Sequence, residues 1–177
     1  MSRFSKFTIL AAVAIVLSCS CGSPSEPYVM SQEAQDAFVG YGFVRCFWFL
    51  WNQNIAGTPS GARDMTVPGP LGGTVHIYGT TGVSGDINTC DLTFDMTDCR
   101  SSNVNYDLTF TGSISCVGSF SPDYTSMGHN SDMLSYSGTV DCDDSNTAVE
   151  DIGPIAIAET QTGLSGTICG RSFAYSY

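Results

Sequence analysis

The chain has 177 residues, 17 Asp+Glu against 6 Lys+Arg, and a formal net charge of -11 at pH 7. That length holds one compact domain rather than two large ones, and a hydrophobic content of 42% suffices for a core, which excludes disorder throughout. The acidic balance argues against nucleic acid as a partner, because phosphate binding needs clustered Lys and Arg.

Residues 1–18 read as an export signal. Arg3 and Lys6 supply a positive start, and Phe7 to Leu17 is a run of 11 residues in which only Thr8 is polar. A bilayer span needs about 20 apolar residues, so this run is too short to be one. It leads into Val16-Leu17-Ser18-Cys19-Ser20-Cys21-Gly22. A small residue directly before a cysteine, after an apolar run, resembles the lipobox of bacterial lipoproteins. The resemblance covers residues 1–22 and implies cleavage before Cys19, with acyl chains on the Cys19 thiol and on its new amino group. The membrane is then a partner through the lipid anchor. In that family Ser after the acylated cysteine favours the outer membrane, which makes Ser20 the sorting residue. Acyl chains contribute about 0.8 kcal/mol per buried CH₂, so two or three anchor stably. An ordinary cleaved, secreted protein and an uncleaved anchor are the alternatives. Cleavage removes Arg3 and Lys6 and no acid, leaving 4 cations against 17 acids, a charge of -13. The four are Arg45, Arg63, Arg100 and Arg171, too few for a polybasic membrane patch.

The expected organisation is a signal peptide over 1–18, a lipidated Ser/Pro tether over 19–30, and a single β-rich domain with an N-terminal helix over 31–177. Ser31 is placed to cap a helix, with Gln32, Glu33 and Asp36 in its first turns. Ala34, Ala37, Phe38, Tyr41, Val44, Trp48 and Trp51 recur at spacings of three or four, which predicts a helix from about 32 to 53. Gly40 and Gly42 each weaken it by roughly 1 kcal/mol. From Phe43 to Trp51 nearly every face is apolar. That half is either enclosed by other structure or, beside the lipid anchor, lies in the membrane interface.

Residues 56–73 carry three prolines and five glycines and read as a loop. Beyond them the hydrophobic period becomes two. Val75 and Ile77; Cys90, Leu92, Phe94 and Met96; Tyr106, Leu108, Phe110, Ile114 and Cys116; and Leu134, Tyr136, Val140 and Cys142 each alternate with polar residues, as in half-buried antiparallel strands. Residues 152–158 form a more continuously apolar strand, with Pro154 marking an edge or bulge, and 164–175 the last strand. Repeated short words such as Asp-Leu-Thr-Phe at 91–94 and 107–110 have no fixed period, so no repeat architecture is read. The fold class is mainly β: a curled or barrel-like antiparallel sheet of about six strands with one N-terminal helix packed against it.

Signals for chemistry are sparse. HExxH, the Walker loop and the Gly-rich dinucleotide fingerprint are absent from the sequence, no CxxC pair occurs, and no cofactor is implied. His76 falls on the polar face of a strand. His129 stands in Ser126-Met127-Gly128-His129-Asn130-Ser131-Asp132, a loop by composition. Ser, His and Asp there invite a triad reading, but they are too local to hold that geometry, and a solvated turn histidine is the simpler one. Asp141, Asp143 and Ser145 place oxygen ligands at alternate positions and resemble the start of an EF-hand-type calcium loop. Asn146 and Ile152 stand where that loop needs Gly and a bidentate Glu, so a charged turn is the competing reading. Phe43, Phe47, Trp48 and Trp51 are candidates to line a pocket for an apolar ligand, or else simply core.

Export places the chain in an oxidising compartment, so its cysteines are disulfide candidates. With Cys19 acylated and Cys21 in the tether, Cys46, Cys90, Cys99, Cys116, Cys142 and Cys169 remain, allowing 15 connectivities. A hairpin turning near Asn103 sets Cys90 opposite Cys116, leaves Cys99 near the turn to reach Cys169 or another strand, and leaves Cys142 for Cys46 or Cys169. The functional expectation is a non-enzymatic outer-membrane lipoprotein whose β-rich domain binds a partner or shapes the envelope. The alternative is a small apolar-ligand-binding module, and the third reading is a hydrolase.

Overall fold

The computed structural model describes residues 29–141 and 146–177. Helix α1 (Gln32–Asn54) begins at Ser31, whose hydroxyl accepts from the Ala34 amide at 3.3 Å. Met30, assigned to the tether by sequence, is buried in the core, and Gln35 donates to its carbonyl. Gly40 and Gly42 lower helix propensity, and packing explains them. A Cβ on Gly40 would lie 2.7 Å from the Phe173 ring, and one on Gly42 2.7 Å from Leu108 Cδ1. The glycines let the helix backbone approach the sheet more closely than any side chain would permit.

Eight strands follow: β1 (Gly61–Pro68), β2 (Thr74–Ser84), β3 (Ile87–Asn103), β4 (Tyr106–Ser121), β5 (Tyr124–Val140), β6 (Thr147–Thr160), β7 (Gly163–Ile168) and β8 (Arg171–Ser176). They pair strictly with their sequence neighbours, all antiparallel, in the order β1 to β8. The expectation of about six strands in a curled or barrel-like sheet is corrected to eight strands in one open sheet. Strand β1 lies in the segment read as a loop. At the sheet edge a strand needs only one hydrogen-bonded neighbour, so its terminal Pro68 and its largely exposed residues are tolerated there. The predicted last strand is a hairpin. Cys169 and Gly170, with φ of 50° and 79°, form a two-residue turn between β7 and β8.

One face of the sheet carries the core against α1, where Phe43, Phe47, Leu50, Phe94, Leu108, Phe110, Ile114 and Leu134 have almost no exposure. Two bulges decide which side chains reach it. In β3 the core-facing residues are Cys90, Leu92, Phe94 and Met96, then Cys99 and Ser101. The parity changes at Thr97–Asp98, where the pairing with β4 shifts and Asp98 takes a left-handed φ of 50°. In β5 the inward set is Met127, His129 and Ser131, then Leu134, Tyr136 and Val140, with the change at Asp132–Met133. Pro154 of β6 sits opposite that same irregularity and just beyond the β7 pairing, as a proline inside a sheet requires.

An ion-pair cluster ties the first turns of α1 to the far edge of the sheet. The Arg171 guanidinium donates to both oxygens of buried Asp36, at 2.8 and 3.0 Å, and to Asp151 at 2.8 Å. Gln32 also donates to Asp36, at 3.1 Å, and Arg171 to the Tyr136 hydroxyl, at 3.2 Å. Among the described residues no helix is long and apolar enough to cross a membrane.

Candidate functional site

The chemistry-bearing residues converge under the middle of α1. Cross-strand pairing sets Cys116 of β4 directly against His129 of β5. Glu159 lies two residues along β6 from Ile157, the direct neighbour of His129, and so reaches the imidazole diagonally. His129 Nδ1 is 3.2 Å from Cys116 Sγ, and Nε2 is 3.0 Å from Glu159 Oε2. The other Glu159 oxygen accepts from Trp48 Nε1 of α1 at 2.7 Å and from the Tyr177 hydroxyl at 3.5 Å. Phe43 and Phe47 lie against the imidazole, with centroids 5.4 and 5.1 Å away. Cys116 and His129 have no exposure and Glu159 has 4%.

The hydrogen-bond inventory fixes a consistent arrangement. A carboxylate only accepts, so His129 presents Nε2–H to Glu159, and its bare Nδ1 accepts from the Cys116 thiol. Every side-chain polar atom of the Cys116–His129–Glu159 trio is then paired, as buried groups require. Burial pushes the Cys116 thiol well above the usual thiol range, with the Cys90 and Glu159 charges adding to it. Cys116 is therefore held as the thiol rather than the thiolate. The trio has the nucleophile–base–orienter order of an acyl-transfer site, but it is enclosed by Phe43, Phe47 and the sheet.

His129 is thus neither in a loop nor solvated, and the Ser126–His129–Asp132 grouping is not assembled: Ser126 and Asp132 are exposed on β5 while His129 points into the core. The bulge at Asp132–Met133 is the reason. Counting back by twos from Leu134 would put His129 outside. Glu159 and Cys116 escaped the sequence reading as partners. The one signal for Glu159 was its parity with Ile155 and Ile157, which marks a carboxylate on a buried face.

The other expected residues separate. Phe43 and Phe47 fill the core edge-on to Phe110 and Phe94, and Trp51 is buried against Phe120. Trp48 is half-buried, with its ring edge-to-face on Phe120 at 4.7 Å. His76 is exposed and paired with Asp64 at 2.8 Å. Asp141 Oδ1 is buried without a hydrogen-bond partner among the described residues, whereas Asp143 and Ser145 lie outside them, as do Cys19 and Cys142. No group of three or more metal-ligating side chains occurs among the described residues. Cys46, Cys90, Cys99, Cys116 and Cys169 carry free thiols. Cys90 faces Gly118 and Cys116 faces Leu92, because the β3–β4 turn is centred between Asn103 and Tyr106 and the bulge shifts the register once more. The expected direct opposition of Cys90 and Cys116 is corrected accordingly. Instead the Cys90 thiol donates to the Cys116 carbonyl at 3.3 Å, and burial raises its pKa to about 12.

Two surface clefts of about 320 Å³ flank the solvent side of α1. They share Arg45 and Trp48. One runs past Phe49 and Asn52 to Leu71, Ser102 and Tyr106, and the other past Tyr41 to Glu159, Gln161 and Tyr177. Arg45 is exposed at the ridge between them, whereas Arg100 and Arg171 are held by carboxylates. Comparison with known proteins finds no matching family, curated protein or solved structure.

Proposed function

We propose that the protein is a lipid-anchored, non-enzymatic envelope protein, held at the outer membrane through Cys19, whose domain binds a partner along the solvent side of α1. The observation that carries the binding part is the placement of Arg45 and Trp48 between two clefts, with Phe49 in one and Tyr41 in the other, while Phe43, Phe47 and Trp51 pack the interior. Phe43 and Phe47 are packed in the core with no exposure, so recognition is assigned to the half-open clefts. Their lining mixes aromatic rings, amides and hydroxyls around one cation, a composition suited to contacts with a polar or anionic partner surface. The anchor rests on the lipobox-like residues before Cys19 and the sorting residue Ser20.

Two measurements test this. The intact mass of the membrane-fraction protein should begin at Cys19 and carry acyl mass. A photo-reactive residue at Phe49, in the cleft, should cross-link one envelope component, and the same probe at Val117, exposed on the opposite face of the sheet, should not. Cross-linking that is equal at both positions, or absent at Phe49, contradicts the reading.

An acyl-transfer enzyme has one observation in its favour, the Cys116–His129–Glu159 chain. Its burial and the raised Cys116 thiol weigh against it. Alkylation of Cys116 in the native protein by iodoacetamide would reopen that reading.

A further inference from the structure

The β3 bulge also repositions a cysteine. It turns Cys99 from the outer to the inner face of the sheet, where its Sγ lies 3.6 Å from Sγ of Cys46 in the middle of α1. Without the extra residue, Cys99 would share the parity of Thr97, on the solvent side. Asp98 holds a left-handed φ of 50° at this bulge, a conformation costly for most non-glycine residues and tolerated best by Asp and Asn. Both cysteines have no exposure. The other described thiols are engaged elsewhere: Cys90 with the Cys116 carbonyl, Cys116 with His129, and Cys169 in the β7–β8 turn.

We propose that Cys46 and Cys99 are a disulfide site that bonds α1 to β3. A disulfide needs its sulfurs about 2.05 Å apart, so an approach of about 1.5 Å by two side chains closes the bond. The oxidant is a disulfide, either of a thiol–disulfide oxidoreductase or of a small thiol such as glutathione. One protein thiol gives up its proton and attacks that disulfide, forming a mixed disulfide and releasing one oxidant thiol. The second protein thiol then attacks the mixed bond, the Cys46–Cys99 bond forms, and the second oxidant thiol leaves. Two protein thiols are oxidised and one disulfide is reduced to two thiols. With both sulfurs shielded in the folded domain, the exchange belongs to the stage at which α1 docks on the sheet. The finished bond is then out of reach of reductants until the domain opens. Within the reduced pair, the hydrogen bond between the two sulfurs holds Cys99 below and Cys46 above the usual thiol range.

That the cell performs this oxidation rests on the export reading, whereas the pairing itself does not. The test therefore uses two samples. One is the full-length chain refolded from the reduced state in glutathione disulfide, and the other is the protein isolated from the membrane fraction. Combined cleavage after arginine and before aspartate separates every described cysteine. Cys46 leaves in the peptide 46–63, Cys99 in 98–100, Cys90 in 86–90, Cys116 in 107–122 and Cys169 in 151–171. Under non-reducing conditions the expected product is 46–63 joined to 98–100, two hydrogens lighter than the sum. Its presence in both samples supports the pairing and the export. Its presence in the refolded sample alone supports the pairing and overturns the export reading. Free peptides, or Cys46 joined to any other cysteine, in the refolded sample overturn the proposal. As a second readout, reductant should lower the melting temperature of the oxidised protein by about 10 °C, and neither Cys46→Ala nor Cys99→Ala should respond. An equal response in either variant also overturns it. Should those variants fail to fold, the peptide map of the unaltered chain still decides.

Discussion

Replacing Arg171 by Met should unfasten the start of α1 from the sheet edge. Asp36 is the sensitive partner, because its side chain is 1% exposed and three of its hydrogen bonds come from Arg171 and Gln32. With Arg171 gone, a buried carboxylate keeps one amide donor. Removing one partner of a buried ion pair costs about 3–5 kcal/mol. Arg171 itself is 36% exposed, so water reaches the vacated site and the lower end applies, about 3 kcal/mol. For a domain of this size that is a fall in melting temperature of about 10 °C. Adding Asp36→Asn removes the stranded charge and should restore at least about 1 kcal/mol of the loss. Urea denaturation at pH 7, followed by the fluorescence of Trp48 and Trp51, measures all three forms, with the thiol state held constant. A single variant within about 0.5 kcal/mol of the parent, or a double variant no more stable than the single one, would refute the assignment of Asp36 as a buried charge held by Arg171.

The remaining expectations concern other parts of the same framework. Hydrogen bonds from Arg171 and Arg100 depress Asp151 and Asp107 respectively, so each contributes stability above the unfolded carboxylate value of about 3.9 and loses it as pH falls through its folded value. The urea midpoint should therefore hold between about pH 7 and 5 and drop below about pH 4, and Asp151→Asn should flatten that drop; an unchanged slope in the variant counts against it. Glu159→Leu strands the His129 and Trp48 donors and should cost about 3 kcal/mol with a red-shifted Trp emission, whereas Glu159→Gln, which keeps an acceptor, should cost less. Equal stability of the two variants would contradict the network. Gly40→Ala should destabilise by about 1–2 kcal/mol in spite of better helix propensity, because its methyl meets the Phe173 ring, and Phe173→Leu should make the same change less costly. A stabilised Gly40→Ala protein would show that the ring can move aside. Asp98→Gly should be neutral or stabilising and Asp98→Val destabilising by about 1–2 kcal/mol, since only glycine takes that φ without strain; thermal melts of the pair check it.

Local pattern carried much of the architecture. Ser31 as a cap and the apolar spacing of three or four predict α1 to within a residue at its C-terminal end, because a helix is made of contacts between near neighbours. Strict alternation predicts the central parts of β2, β3 and β4 for the same reason. Three features lay beyond sequence pattern. Strand β1 is a strand only because β2 offers it an edge to pair with; its Gly61 and Pro68, within a Pro- and Gly-rich segment, read as turn. The bulges at Thr97–Asp98 and Asp132–Met133 each insert one residue into a ladder, and one inserted residue inverts the face of everything beyond it. Composition therefore reads His129 as a solvated turn residue and leaves Cys99 near the hairpin turn, whereas the bulges turn both into the core. Their neighbours, Glu159 thirty residues from His129 and Cys46 fifty-three from Cys99, come close only through the stacking of strands and the docking of α1. The sequence determined which residues could be buried. Tertiary packing alone decided which buried groups touch, because partner choice depends on register, and register is set by pairing between strands.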